Sequence, residues 1–153
     1  MPDDFVRNDE ILYRRILASR KLYKIKTDGT IEISSEAFSD RQLRVSVDRA
    51  KLCDNNPRQT LGNEPGVVVG LLTSDVRNVD DLTRNDRKGN PLFQFKIDVE
   101  PVPLSGNSAH AEIYAIPAFA DADRRGAFHR LCRRLVRIVE ASQSILLFDD
   151  QQI

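Results

Sequence analysis

The residues in this chain with the most direct chemical reading are His110-Ala111-Glu112. His-x-Glu opens the signature of the zinc nucleoside deaminases, where the His binds zinc and the Glu shuttles protons. That chemistry needs two further thiolate ligands from a Pro-Cys-x-x-Cys turn. Only Cys132 follows, alone, so the three-ligand site cannot be assembled. The bland reading places His110 and Glu112 on the outer face of a strand. Any other metal site would recruit His110, His129, Cys132 and scattered carboxylates with no motif spacing behind it, and none is expected.

Nucleophilic catalysis fares no better. The chain has no Gly-x-Ser-x-Gly elbow and no cysteine in a motif that would lower its pKa. Cys132 lies one turn from His129 among arginines, a setting that favours a thiolate. The preferred reading makes it a small core residue in the apolar stripe of a helix. No Walker loop and no Gly-x-Gly-x-x-Gly occurs, so a phosphate-cradling loop is absent.

Phe128, Leu131, Leu135, Ile138 and Val139 recur at helical spacing and predict a helix from about Asp123 to Ser142. Its other side carries six arginines, among them Arg130, Arg134 and Arg137, the candidates for binding a phosphate or an acidic partner. The competing reading is a solvated face whose arginines pair with acidic residues elsewhere, and it is preferred.

Composition bounds these options. The chain has 153 residues, the usual size of one domain. Apolar residues make up 41% and charged residues 30%, a globular balance rather than a disordered one. The 23 basic and 23 acidic side chains cancel, so no global field steers the protein to nucleic acid or to an anionic membrane. Cys53 and Cys132 are expected as free thiols. The acidic start, Met1 to Arg7, has no apolar segment of a signal peptide. No run approaches the roughly 20 apolar residues that span a bilayer. A soluble, cytoplasmic protein is the expectation.

The elements that must position these residues follow from periodicity and turn chemistry. Ile11 to Leu22 reads either as a helix capped by Asn8-Asp9-Glu10 or as a first strand over Ile11 to Leu17. Asp28-Gly29 between alternating segments is the strongest hairpin signal. Leu43 to Val47 alternates as a strand, with Ser46 or Asp48 starting a turn over Arg49 to Leu52. Asn56-Pro57 starts a short helix. Val67 to Leu72 is apolar on both faces and predicts a central strand. Asp80 to Pro91 reads as an exposed loop, Phe93 to Val99 as a half-buried strand ended by Pro101 and Pro103, and Ala111 to Ile116 as another strand. The fold class expected is α+β: a mostly antiparallel, bent sheet of five or six strands with a long C-terminal helix packed on it.

Several segments carry a likeness: Tyr13-Arg14-Arg15-Ile16, Ser34-Ser35-Glu36-Ala37-Phe38, Val45-Ser46-Val47-Asp48, Glu100-Pro101-Val102-Pro103-Leu104 and Asn107-Ser108-Ala109-His110-Ala111. Together they resemble a group of short bacterial proteins that share this pattern and bring no activity with them. The resemblance covers about Leu12 to Ile116 and implies a stand-alone bacterial domain. The order of Tyr13-Arg14-Arg15, Ser46-Val47-Asp48 and His110-Ala111-Glu112 is also similar to that of compact ADP-ribosyltransferase-like folds. That analogy implies Arg14 or Arg15 on the pyrophosphate of NAD, Ser46 supporting the pocket, and Glu112 orienting the attacking hydroxyl. The competing reading makes Arg15 a surface residue, Ser46 a helix cap and Glu112 an exposed strand residue.

The leading expectation is a non-enzymatic interaction or accessory protein with a protein partner, in a bacterial system such as genome defence or toxin–antitoxin, because no catalytic motif is complete. No cofactor is expected outside the second reading, an NAD- or nucleotide-using enzyme with Arg14, Arg15, Ser46, His110 and Glu112 at its site. A third reading is phosphate or RNA binding by the arginine helix.

Overall fold

The stretch that periodicity left open between helix and strand is a strand, β1 (Ile11–Leu17). A computed structural model describes residues 5–150. The acidic start at residues 1–4, read above as lacking a signal peptide, lies outside the described residues, as do residues 151–153. Leu12 and Ile16 are buried on one face of β1 and Tyr13 on the other. Residues 8–10 cap no helix, because the Glu10 carboxylate is bound by the Arg49 guanidinium instead.

β2 (Tyr23–Ile25) and β3 (Ile31–Ile33) form the expected hairpin. Gly29 turns the chain at φ 87°, and the Asp28 carboxylate accepts from the Thr30 N–H and hydroxyl. β4 (Val45–Arg49) runs into a 3-10 turn over Ala50–Cys53. α1 (Arg58–Leu61) starts where Asn56 accepts the Arg58 N–H. β5 (Gly66–Leu72) leads into α2 (Thr73–Arg77). After β6 (Thr83–Asn85) and β7 (Pro91–Gln94) come β8 (Lys96–Pro101) and β9 (His110–Ile116). α3 (Ala127–Ser142) and β10 (Ile145–Asp149) complete the order.

Six strands form one sheet in the order β10-β5-β1-β4-β9-β8, and every neighbouring pair is antiparallel. α3 packs on one face through Phe128, Leu131, Leu135 and Val139, all at most 1% exposed. The fold is α+β, as the patterning required.

Four expectations are corrected. The stretch 80–91 is not a plain loop: β6 pairs with β7 in a small hairpin, anchored by buried Leu82 and by Arg84 on Asp123. The predicted strand over 93–99 breaks at Phe95, whose ring turns into the core against Phe119. α3 starts at Ala127, because the Asp123 carboxylate is held by Arg84 and the Ala120 N–H. β10 was not foreseen at all.

Gly66, at the start of β5, has no room for a side chain. A Cβ there would lie 2.5 Å from the carbonyl oxygen of Ile16 and 3.1 Å from the Leu17 Cα. Gly66→Ala is therefore expected to cost about 2 kcal/mol by forcing β5 off β1, read as a lower denaturation midpoint in urea. A midpoint equal to wild type would show that the two strands separate freely. No helix among the described residues is long and apolar enough to cross a membrane.

Candidate functional site

The sheet face opposite α3 carries a small apolar cluster of Tyr13, Ala50, Cys53, Leu61 and Val68. Partly buried Leu17, Leu52 and Leu147 pack against it. A cleft of about 580 Å³ opens there, floored by β1, β4 and the start of β9, and it is lined by Arg14, Arg15, Ser46 and His110 among others. Four of the five residues singled out for catalysis are thus brought together.

The cleft exists because two strands part. β1 and β4 pair at Leu12–Arg49 and Tyr13–Asp48. Farther along, the Arg14 side chain takes the place of ladder bonds. Its Nη1 donates to the Ser46 carbonyl and to Asp40, Nε and Nη2 both donate to the Ala37 carbonyl, and Nη2 also donates to Asp40. Asp40 in turn accepts the Ser46 N–H. All three nitrogens of Arg14 are engaged, so it shapes the cleft rather than offering a hand to a ligand.

Arg15, its neighbour, points the other way, as alternation along a strand demands. Arg15 and Arg20 both line the cleft, both are exposed, and neither has a hydrogen-bond or ion-pair partner among the described residues. The choice left open between Arg14 and Arg15 therefore divides: Arg14 is structural and Arg15 is available.

One row of side chains crosses the floor. Register pairs Tyr13 with Asp48 and Asp48 with His110, so all three project from the same face. Thr60 Oγ1 and Asn107 Nδ2 donate to the two oxygens of Asp48, at 2.8 and 2.9 Å. The His110 Nδ1 lies 2.9 Å from the Val102 carbonyl oxygen. A carbonyl only accepts, so Nδ1 carries the proton, and in the neutral ring Nε2 is left as an acceptor. Burial, and then the Asp48 charge, push the Cys53 thiol up, and a hydrogen bond with Thr60 opposes this only in part. Burial, and then Cys53, raise the Tyr13 hydroxyl as well. Cys53 is a protonated thiol at neutral pH, not a nucleophile.

Glu112 is the fifth predicted residue and it does not join the cleft. Register sets it across from Ser46, but its carboxylate pairs with Arg44 Nη1 at 3.1 Å, and Arg44 also holds Glu100 and lies over the Tyr114 ring at 4.7 Å. No family model, curated protein or solved structure matches this chain. The site is therefore read from its own geometry. No group of three or more His, Cys, Asp or Glu fit to hold a metal ion occurs among the described residues.

The arginines of α3 divide as well. Arg130 donates to the Thr83 carbonyl and Arg134 pairs with Asp81, so both tie the helix to the segment around β6. Arg137 and Arg133 are exposed with no partner among the described residues. Cys132 is a core residue, 1% exposed, its thiol pushed up to about 12 chiefly by burial. It lies in the core under α3 while Cys53 lies in the cluster across the sheet, and both are free.

Sequence reasoning missed Tyr13, Asp48 and Arg20. Alternation along residues 45–49 puts Asp48 on the same face as Ser46, and that was the one signal available.

Proposed function

We propose that this protein works by binding a small anionic ligand in the cleft, in an accessory rather than a catalytic role. The observation that carries the reading is the pair Arg15 and Arg20, two exposed guanidiniums lining one cleft without an acidic partner among the described residues. Guanidinium matches phosphate or carboxylate in a bidentate fork, and such charge-assisted bonds are the strong ones. Arg14 borders the same cleft with its side chain turned away from Arg15, and it shows the contrast, since Asp40 already neutralises it.

The transferase-like reading needs Glu112 beside the ligand, whereas Arg44 holds that carboxylate. This favours binding over turnover. The setting we propose is a bacterial accessory system, of the genome-defence or toxin–antitoxin kind, in which the domain acts on a protein partner. The arginine helix is the weaker phosphate site, because Arg130 and Arg134 are spent on contacts within the chain.

Thermal unfolding in pyrophosphate tests the reading. A ligand at a hundred times its Kd stabilises the fold by about 2.7 kcal/mol, a rise of several degrees in Tm. The rise is expected in wild type and in the Arg133→Ala/Arg137→Ala variant, and it is expected to vanish in Arg15→Ala/Arg20→Ala. Both removed side chains are exposed and unpaired among the described residues, so the last variant should keep its ligand-free Tm, within about 0.5 kcal/mol of stability. A rise that survives loss of Arg15 and Arg20 but not of Arg133 and Arg137 would move the site to α3.

A further inference from the structure

The cleft is not uniformly basic. Beside the arginines lies the Asp48 carboxylate, to which no cation is paired among the described residues, fixed by Thr60 and Asn107. Each of its oxygens accepts one bond from the protein and has lone-pair capacity for another. His110 Nε2 and the Tyr13 hydroxyl have no protein partner among the described residues, and both residues line the cleft. This part of the floor therefore presents two acceptors, Asp48 and Nε2, beside a Tyr13 hydroxyl that both donates and accepts, a set that hydroxyl groups satisfy.

Spacing relates the two ends. Tyr13 and Arg15 lie two residues apart on one face of β1, roughly 7 Å along the strand. Asp48 sits directly across from Tyr13, and His110 directly across from Asp48, at cross-strand Cβ distances of roughly 5 Å. An anionic group at the arginines thus has neighbouring hydroxyls over the Asp48–His110 pair, which is the span of a phosphorylated pentose.

We propose that the ligand is a pentose phosphate, free or as the sugar of a nucleotide, with its phosphate at Arg15 and Arg20 and its hydroxyls donating to Asp48 and His110 Nε2. The inference rests on the anion-binding reading above and adds the class of ligand. Inorganic phosphate satisfies the arginines alone. The carboxylate's selectivity comes from repelling an anion that reaches too deep and accepting a hydroxyl that reaches the same depth.

Isothermal titration of the wild-type protein with ribose 5-phosphate, 2-deoxyribose 5-phosphate, AMP and inorganic phosphate tests this. Ribose 5-phosphate is expected to bind at least about tenfold more tightly than inorganic phosphate, the scale of one hydrogen bond to a charged group. Loss of the 2-hydroxyl should give back part of that margin. Asp48→Asn should remove most of it and leave the phosphate affinity unchanged or higher. His110→Gln serves as the second variant, because Asp48 also anchors Thr60 and Asn107. Equal affinities for sugar phosphate and phosphate would overturn the pentose assignment and leave the anion site standing. Failure of all four compounds to bind would overturn the anion reading itself. AMP binding more tightly than ribose 5-phosphate assigns the pentose to a nucleotide, and equal affinities assign it to a free sugar.

Discussion

Arg49→Ala is expected to cost about 3–5 kcal/mol, the scale on which breaking one side of a buried ion pair leaves an uncompensated charge. The Arg49 side chain is 1% exposed and that of Glu10 5%. Nε and Nη2 of Arg49 each donate to one oxygen of Glu10 at 2.9 Å, and Nη2 also donates to the Phe5 carbonyl. The Arg7 N–H adds a bond to Glu10 at 2.7 Å. This cluster joins β4 to the segment that enters β1, so its loss loosens both. Replacing both partners by apolar residues of similar volume should cost much less than either single change, since no charge is then stranded. Urea unfolding of the two single variants and the double variant measures the difference. Equal losses in all three would show that packing, not charge pairing, carries the effect.

The same pair predicts a pH dependence. Burial raises the Glu10 carboxyl, but the bonds from Arg49 and the Arg7 N–H, with the charges of Arg49 and Lys51, outweigh it and hold the carboxyl below its ordinary value. A group whose folded pKa is depressed contributes stability that is present above its unfolded value, about 4.3 for Glu, and lost as pH falls through the folded value. The stability gap between wild type and Glu10→Gln should therefore be full at pH 7 and shrink on acidification below about pH 4. Asp123 shares the direction. Burial raises it, and the Arg84 and Ala120 bonds lower it further than burial lifts it.

What the sequence made legible was whatever repeats locally. α3 was legible because four of its buried residues, Phe128, Leu131, Leu135 and Val139, fall on one helical stripe. β5 was legible because a run of valines and leucines bounded by Pro65 and Gly66 suits a strand buried on both faces. β10 was not, since Ile145–Asp149 is a five-residue edge strand with a register shift beside it, and so carries no clean alternation. β6 was hidden by its polar composition, for its partner is another short strand rather than the core.

The cleft was legible in part, for a physical reason. Arg14, Arg15, Ser46 and His110 belong to segments that order along the chain already set side by side. Asp48 reads from the sequence as a turn starter and as the end of Ser46-Val47-Asp48, not as a cleft residue, because its place depends on register with Tyr13 and His110, both far away in sequence. Arg20 sits in a turn after β1, where no periodicity operates. The helix arginines misled in the opposite sense. Periodicity placed Arg130, Arg133, Arg134 and Arg137 alike on the outer side, and only the unforeseen β6 hairpin reveals that Arg130 and Arg134 are occupied.

Arg14 decides whether the cleft keeps its shape, and its loss is expected to be the second largest effect. Arg14→Ala should lower stability by about 2–4 kcal/mol, below the Arg49 figure because these side chains are 14% and 29% exposed and water relieves part of the stranded charge of Asp40. Of the five Arg14 hydrogen bonds, one reaches β4 at the Ser46 carbonyl and four reach Ala37 and Asp40. Without them the Ser46 carbonyl and the Ala37 carbonyl lose their donors, and the strands either zip together or fray. Lysine cannot replace the fork, because three donors on one nitrogen do not reach two carbonyls and a carboxylate at once. Arg14→Lys is therefore expected to recover less than half of the loss. The variant also separates stability from site geometry. If Arg15 and Arg20 bind the anion on a frame set by Arg14, pyrophosphate should stabilise Arg14→Lys less than wild type, even at a temperature where both are folded. Equal stabilisation would show that the two free arginines act without that frame.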